Sequence, residues 1–478
     1  MQYGIYRVII YLIMFKISSF SIKRLFGHKD VSLQFKDKVQ IYIGENGLGK
    51  TTVLNAFNYI LTLDWKELSY INFEEISIVV NKTKYVFLRS KIEAYLKRQE
   101  NSRRSGFAQH LSEGLTKDDL LKLKVLVNNS DSIEKMRNIQ SYLSSHGYRI
   151  NASSRFIYES VIELLSMRDS FKEFEDFSFV ISSERPQILY YTTYRRVEKN
   201  LAVILRRLME KDSFDYRIPR YIREDFEEAV QSSKFIHFGM GDVKREINDI
   251  CDIITKISRE KLDALSTDLL KAEINGFKDN NRKFSQSDKD KLHSILNRRH
   301  IGLIDNEKKN IWKNINDNSI YNEDHKALFY LLSKLVEIYD SYAKYDVAIK
   351  RFCNTCNDYL FEKAFSFDEE SLQLKLFRNV QNKTDEAEIE LEQLSSGEKQ
   401  IVSLFADVYL NHIDDNFIFL IDEPELSLSI FWQKRLLPDV MESDKCSLLF
   451  AVTHSPFIFE NKYEDNTVGL NEFMSYSK

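Results

Sequence analysis

Hydrophobic residues recur along this chain in two rhythms. Short runs dense in apolar residues, closed by charged or turn positions, predict strands at Val39–Ile43, Gln187–Thr192, Phe417–Glu423 and Leu448–His454. FKISSFSIKRLF, which follows Met14, alternates like a first strand, and EEISIVV and KYVFLRS flank Asn81-Lys82 as a two-stranded meander would. The second rhythm is helical. Val243, Ile247, Ile250, Ile254 and Ile257 recur in steps of four and three, a heptad seam, and Leu328, Leu332, Leu335, Tyr339 and Tyr342 repeat it. Two helices of ~35 residues, rising 1.5 Å per residue, would make an antiparallel arm about 50 Å long. The same seams would serve two helices packed into a globular lobe, and both readings stay open here.

These rhythms divide the chain. Residues 1–14 read as an N-terminal extension or a start placed too early. Residues 15–90 and 364–478 carry the strands of an α/β unit, with a further segment at 183–240. Residues 91–182 are polar and helical, an insertion without recognisable chemistry, and 241–363 hold the arm or lobe. Scarce helix breakers, with 14 glycines and five prolines in 478 residues, favour long helices.

Charge and cysteine content narrow the class. The net charge of −4 offers no global field for nucleic acid, so any such contact would be a local patch. Basic pairs occur at Lys97-Arg98, Arg103-Arg104, Arg206-Arg207 and Arg298-Arg299, a pattern typical of solvated surface. Four cysteines in a chain this long do not form a disulfide framework, which points to a reducing cytoplasm. Tyr3–Phe15 is apolar but contains Arg7 and is shorter than the ~20 residues of a spanning helix, so no membrane partner is expected.

Candidate chemistry begins at Ile41–Thr52, IYIGENGLGKTT. Gly44, Gly49, Lys50 and Thr51 satisfy the phosphate-loop spacing between a strand and a helix. Glycines at 44, 47 and 49 would let backbone amides, with Asn46 and Thr52 alongside, curl around phosphates at a helix N-terminus. Lys50 would reach the β- and γ-phosphates of ATP, and the Thr51 hydroxyl would bind Mg²⁺. FIFLIDE then closes a buried run with two carboxylates: Asp422 for Mg²⁺ and Glu423 to polarise the attacking water. LLFAVTH ends another strand on His454. Gln187 is the candidate for a further polar contact to the nucleotide.

LSSGEKQ, Leu394–Gln400, resembles the signature motif of ABC ATPases. The resemblance implies that Ser395, Ser396, Gly397 and Glu398 meet a γ-phosphate held by a second subunit, hence an ATP-dependent homodimer or higher homo-oligomer. PELSLS, Pro424–Ser429, is similar to the stretch usually written PELSLH, with Ser429 in place of the histidine. His454 matches the histidine that contacts the γ-phosphate in these proteins. In this order the motifs resemble the SMC, RecF and OLD branch, an ABC-type P-loop ATPase head built as a mixed sheet with helices and carrying a large helical or coiled-coil insertion.

YYTTYRRVEKNL (Tyr190–Leu201), FGMGDV (Phe238–Val243) and LSSGEKQIVSLF (Leu394–Phe405) are similar to AAA_15-type ATPases of anti-phage defence, first those of PARIS systems and next those of Septu. Thr192 stands where relatives carry proline. The resemblance implies an ATP-gated scaffold that senses a phage trigger protein and controls a separate Toprim-type (DUF4435-like) effector nuclease, because only 24 residues follow His454, too few for a Toprim domain. A DNA-repair or chromosome-maintenance ATPase that clamps DNA is the alternative, and a transporter subunit is disfavoured by the long insertion. Cys353 and Cys356 have half the spacing of a zinc hook, but sit near the head end of the second helix, where two buried thiols are the plainer expectation.

Overall fold

The computed structural model describes residues 15–104, 115, 117–128, 132–145, 153–192, 240–277, 283–298, 301–378, 387–426 and 428–476. The N-terminal extension, Tyr194-Arg195-Arg196, Arg206-Arg207, Arg299 and most of the two middle defence-type motifs lie outside them.

From the N-terminus come β1 (Ile17–Leu25), β2 (Lys29–Gln34), β3 (Val39–Ile43), α1 (Lys50–Leu61), α2 (Trp65–Tyr70), β4 (Glu75–Val80) and β5 (Thr83–Leu88). Asn81 and Lys82 both take positive φ, 49° and 68°, the turn that matches strand twist in a two-residue hairpin, so β4 and β5 pair with Val80 opposite Thr83. The helices α3 (Arg89–Arg104), α4 (Lys117–Asn128), α5 (Ser132–Ser145), α6 (Ser154–Ser170) and α7 (Lys172–Glu184) lead to β6 (Gln187–Tyr191). In this insertion Leu123, Ile139, Leu143, Ile157 and Val161 form a small core of their own.

The second insertion is α8 (Met240–Asn275), α9 (Gln286–Leu296), α10 (Asp305–Asn316) and α11 (Lys326–Asn357). Both seams are real: Val243, Ile247, Ile250 and Ile254 on α8 and Leu332, Leu335, Tyr339 and Tyr342 on α11 are buried. They do not make a bare arm. Leu292, Ile295 and Ile315 from α9 and α10 join the same core, so the pair is the centre of a helical lobe continuous with the head. Toward the far end of α8 the outward-facing Leu270 and Ile274 are exposed, while Phe277 just beyond it packs on Tyr330 of α11.

The chain then returns through β7 (Lys363–Asp368), β8 (Gln373–Arg378), β9 (Ala387–Ile389), α12 (Ser396–Ala406), β10 (Phe417–Asp422), α13 (Ile430–Met441), β11 (Cys446–Thr453), β12 (Thr467–Gly469) and β13 (Met474–Tyr476). Two five-stranded sheets result: an antiparallel one ordered β13-β2-β1-β4-β5 and a parallel one ordered β12-β3-β11-β10-β6. The parallel sheet separates two cores by strict alternation. On β10, Phe417, Phe419 and Ile421 face the helical side, whereas Ile418 and Leu420 face α1 and the antiparallel sheet. The result is a mixed α/β head with a long helical insertion.

Candidate active site

Three parallel strands deliver the site. In the order β3-β11-β10, their C-terminal ends carry the phosphate loop, His454 and the Asp422-Glu423 pair. Open parallel sheets bind ligands beyond this edge, where helix N-termini also point. Gly47 and Gly49 have φ of 80° and 102°, left-handed values that explain glycine at both positions, and Gly49 is the N-cap of α1. Asn46 is exposed on the turn just before Gly47, and Thr51 and Thr52 lie half-buried in the first helical turn.

Lys50 is buried and bends back over its own loop. Its ammonium donates to the carbonyls of Gly44 at 2.8 Å and Glu45 at 3.2 Å, and lies 2.9 Å from Nε2 of His454. The same Nε2 is 3.1 Å from Oε1 of Glu423. One ring nitrogen cannot accept from the ammonium and donate to the carboxylate at once, so the imidazole is poised between two alternative partners. Burial lowers the Lys50 pKa, opposed by the charges of Glu423, Asp422 and Glu425.

Asp422 is the most perturbed carboxylate of the group. Burial pushes its pKa up to about 6, against a hydrogen bond from the Thr51 side chain and the charge of Lys50. Its Oδ1 is buried without a hydrogen-bond partner. A desolvated carboxylate oxygen left unsatisfied beside a hydroxyl is the donor pair that Mg²⁺ takes from a protein when phosphates supply the rest. The residues therefore fit the ion. Glu423 follows with φ of 48°, a left-handed backbone that is costly for a side-chain-bearing residue, held by its amide bonding to the Val452 carbonyl at 2.9 Å.

The signature residues sit on a separate element. Ser395 is the N-cap of α12; its amide donates to Glu398 at 2.7 Å, while its hydroxyl accepts from the Glu398 amide at 3.4 Å, a reciprocal capping box. Ser395 and Ser396 are exposed, and Gly397 is half-buried. The Glu398 side chain turns inward and pairs with Lys363 at 2.7 Å. Burial would raise its pKa, but Lys363 and the Ser395 cap hold it below the usual range.

Two residues, Gln187 and Arg298, fall elsewhere than the sequence suggests, whereas the cysteine pair of α11 lies buried as expected. Gln187 pairs with Phe417, at the start of β10, so it stands at the end of the sheet opposite Asp422, ~15 Å away at strand rise. Arg298 is not solvated surface: it is fully buried, its guanidinium donating to both oxygens of Asp346 at 2.9 and 2.7 Å and lying over the Tyr342 ring. Cys353 and Cys356 are buried thiols on α11, their pKa values raised by burial.

Glu425 lies within PELSLS, where the sequence assigns it no role, yet its carboxylate accepts from the Thr453 hydroxyl at 2.7 Å, the His454 amide at 2.8 Å and the Ser455 amide at 3.2 Å. Beside it, Gln433 on α13 accepts from the Ser455 hydroxyl at 2.7 Å and donates to the Leu428 carbonyl at 3.0 Å.

The model of the AAA_15 family, an AAA ATPase domain, matches residues 15–459, and the chain belongs to that family. It is therefore an ATPase-domain protein. A probable ATPase of retron Ec83 from Escherichia coli is 28% identical over 144 residues, 28% of this chain and 25% of that protein, so the match spans about a quarter of the relative's length. The Smc head domain of Pyrococcus furiosus, with an extended coiled coil and bound to the C-terminal domain of ScpA, matches at 13% identity over 97% of each chain, with a TM-score of 0.33. No described helix is long and apolar enough to cross a membrane.

Proposed function

We propose that this chain hydrolyses ATP with Mg²⁺ as an ABC/SMC-type homodimer or larger homo-oligomer. The observation that carries the reading is the convergence of Lys50, His454 and Glu423 around one imidazole nitrogen, beside the unsatisfied oxygen of Asp422. Lys50 offsets the charge of the β- and γ-phosphates while the loop amides bind their oxygens. Thr51 and Asp422 would hold Mg²⁺, which would supply positive charge against the charge developing on the phosphates. Glu423 accepts the proton of the attacking water, and His454 donates to the γ-phosphate.

A second copy has a face to meet. Leu426, Ile430 and Phe431, immediately after the carboxylates, are exposed, as are the hydroxyl-bearing Ser395 and Ser396. An apolar group next to an ATP site suits a partner that closes over the nucleotide.

The cycle serves anti-phage defence, controlling a separate effector nuclease in response to a phage trigger. The defence-type motifs and the retron relative support this reading. Co-expression with the adjacent gene tests it: the two products co-purify, the ATPase alone cleaves neither DNA nor RNA, and Lys50→Ala removes phage resistance while the protein persists. Robust cleavage by the ATPase alone, or full resistance from Lys50→Ala, would overturn it.

A further inference from the structure

We infer that Glu425 is a positioning residue for hydrolysis, clamping the turn after Glu423 to the end of β11 so that Glu423 and His454 face each other. The inference rests on the ATPase reading of this site.

The turn and the strand end are joined at two points. Glu425 binds the Thr453 hydroxyl and the amides of His454 and Ser455, and Gln433 binds the Ser455 hydroxyl and the turn carbonyl of Leu428. Hydrogen bonds from two backbone amides to a carboxylate are charge-assisted, about twice as strong as neutral ones. Thr453 and Gln433 are buried, so water does not compete well there.

The clamp acts on both catalytic side chains. His454 is about one-third exposed at its side chain, and its imidazole is placed by a backbone that Glu425 holds at the very next bond. Glu423 adopts left-handed φ, a conformation that persists only where surroundings over-determine it. A carboxylate two residues on, fixed to β11, supplies that determination. The bonds of Glu425 go to neither Lys50 nor Thr51, and it acts on Lys50 only through its charge, behind Glu423 and Asp422, so its loss should change nucleotide binding far less than turnover.

The test pairs Glu425→Ala and Glu425→Gln with His454→Ala, measuring ATP affinity, turnover and amide exchange of residues 452–456. Glu425→Ala should lower kcat by about 10- to 100-fold with ATP affinity changed less than about threefold. Exchange of the His454 and Ser455 amides should rise about tenfold or more. Glu425→Gln keeps an oxygen for both amides and should recover most of the rate. If Glu425 acts through His454, adding Glu425→Ala to His454→Ala should cost much less than it costs alone.

Parental turnover in Glu425→Ala, unchanged amide exchange, or full additivity with both His454→Ala and Glu423→Gln would each overturn the inference. Should Glu425→Ala not fold, an equal loss of rate in well-folded Glu425→Gln with unaltered exchange would do so. A parent protein no faster than Lys50→Ala would instead bring down the ATPase reading itself, and the positioning role with it.

Discussion

The Lys50 ammonium and the His454 imidazole lie 2.9 Å apart, although 404 positions separate them in the chain. The contact exists because β11 inserts between the phosphate-loop strand and the strand bearing the two carboxylates. Lys50 spends its donors on loop carbonyls and on His454, groups that phosphate oxygens can outcompete by charge. Lys50→Ala should weaken ATP binding by at least about 100-fold, measured by calorimetry with Mg²⁺ and a non-hydrolysable analogue. Lys50→Arg should bind poorly too, since a planar guanidinium does not fit a pocket shaped for a point charge.

The raised pKa of Asp422 separates activity from stability. Turnover should fall as pH drops through about 6, where the carboxylate takes up a proton and can no longer serve Mg²⁺. An ordinary aspartate would hold its charge to about pH 4. Stability runs the other way. A group whose folded pKa is raised contributes stability that is complete below its unfolded pKa and lost as pH rises through the folded one. In EDTA at pH 7.5, Asp422→Asn should therefore melt later than the parent, by on the order of 1–3 kcal/mol, while failing to hydrolyse ATP. A neutral or destabilising effect, read by thermal denaturation, would contradict the assigned burial cost.

Exposed Ser396 at the mouth of α12 predicts complementation between subunits. Ser396→Arg should bind ATP near parental affinity and fail to turn it over. Mixed with Lys50→Ala, it forms dimers in which one composite site carries both defects and the other neither. Partial turnover in the mixture is the expected result of a rate assay. Cooperative firing of both sites, or sites that are not composite, would leave the mixture as inactive as its parents.

The Arg298–Asp346 pair is fully buried between α9 and α11, with Arg298 Nε and Nη1 left without partners. Removing one charge strands the other. Arg298→Ala should cost about 3–5 kcal/mol in urea unfolding, with the ATP KM unchanged. The double change Arg298→Met with Asp346→Leu should recover most of that loss, because an apolar pair of similar volume escapes the desolvation cost.

How much of this the sequence displays depends on where each interaction partner lies. The phosphate loop, the Asp422-Glu423 pair and His454 are legible because each closes a strand by a local pattern. The meander at Asn81-Lys82 and both heptad seams are local as well. Glu425 is not legible, since its partners are 28 to 30 residues away. Gln187 misleads because only strand register reveals which end of the sheet it occupies. Arg298-Arg299 looks like solvated surface until α11 supplies Asp346. β2, β7 and β8, six residues each with two or three apolar positions, and β9, β12 and β13, three residues each, are too short for periodicity to declare them. Arm and lobe cannot be told apart from a seam, because the deciding contacts come from α9 and α10.

Glu423 is the centre of the account, and steady-state ATP hydrolysis by Glu423→Gln is its most direct test. The substitution preserves shape and removes the base. With Mg²⁺ the variant should bind ATP like the parent and hydrolyse it about 10²- to 10⁴-fold more slowly. ATP should therefore hold it in an associated form that light scattering would detect. Turnover by Glu423→Gln equal to that of the parent would contradict the assignment.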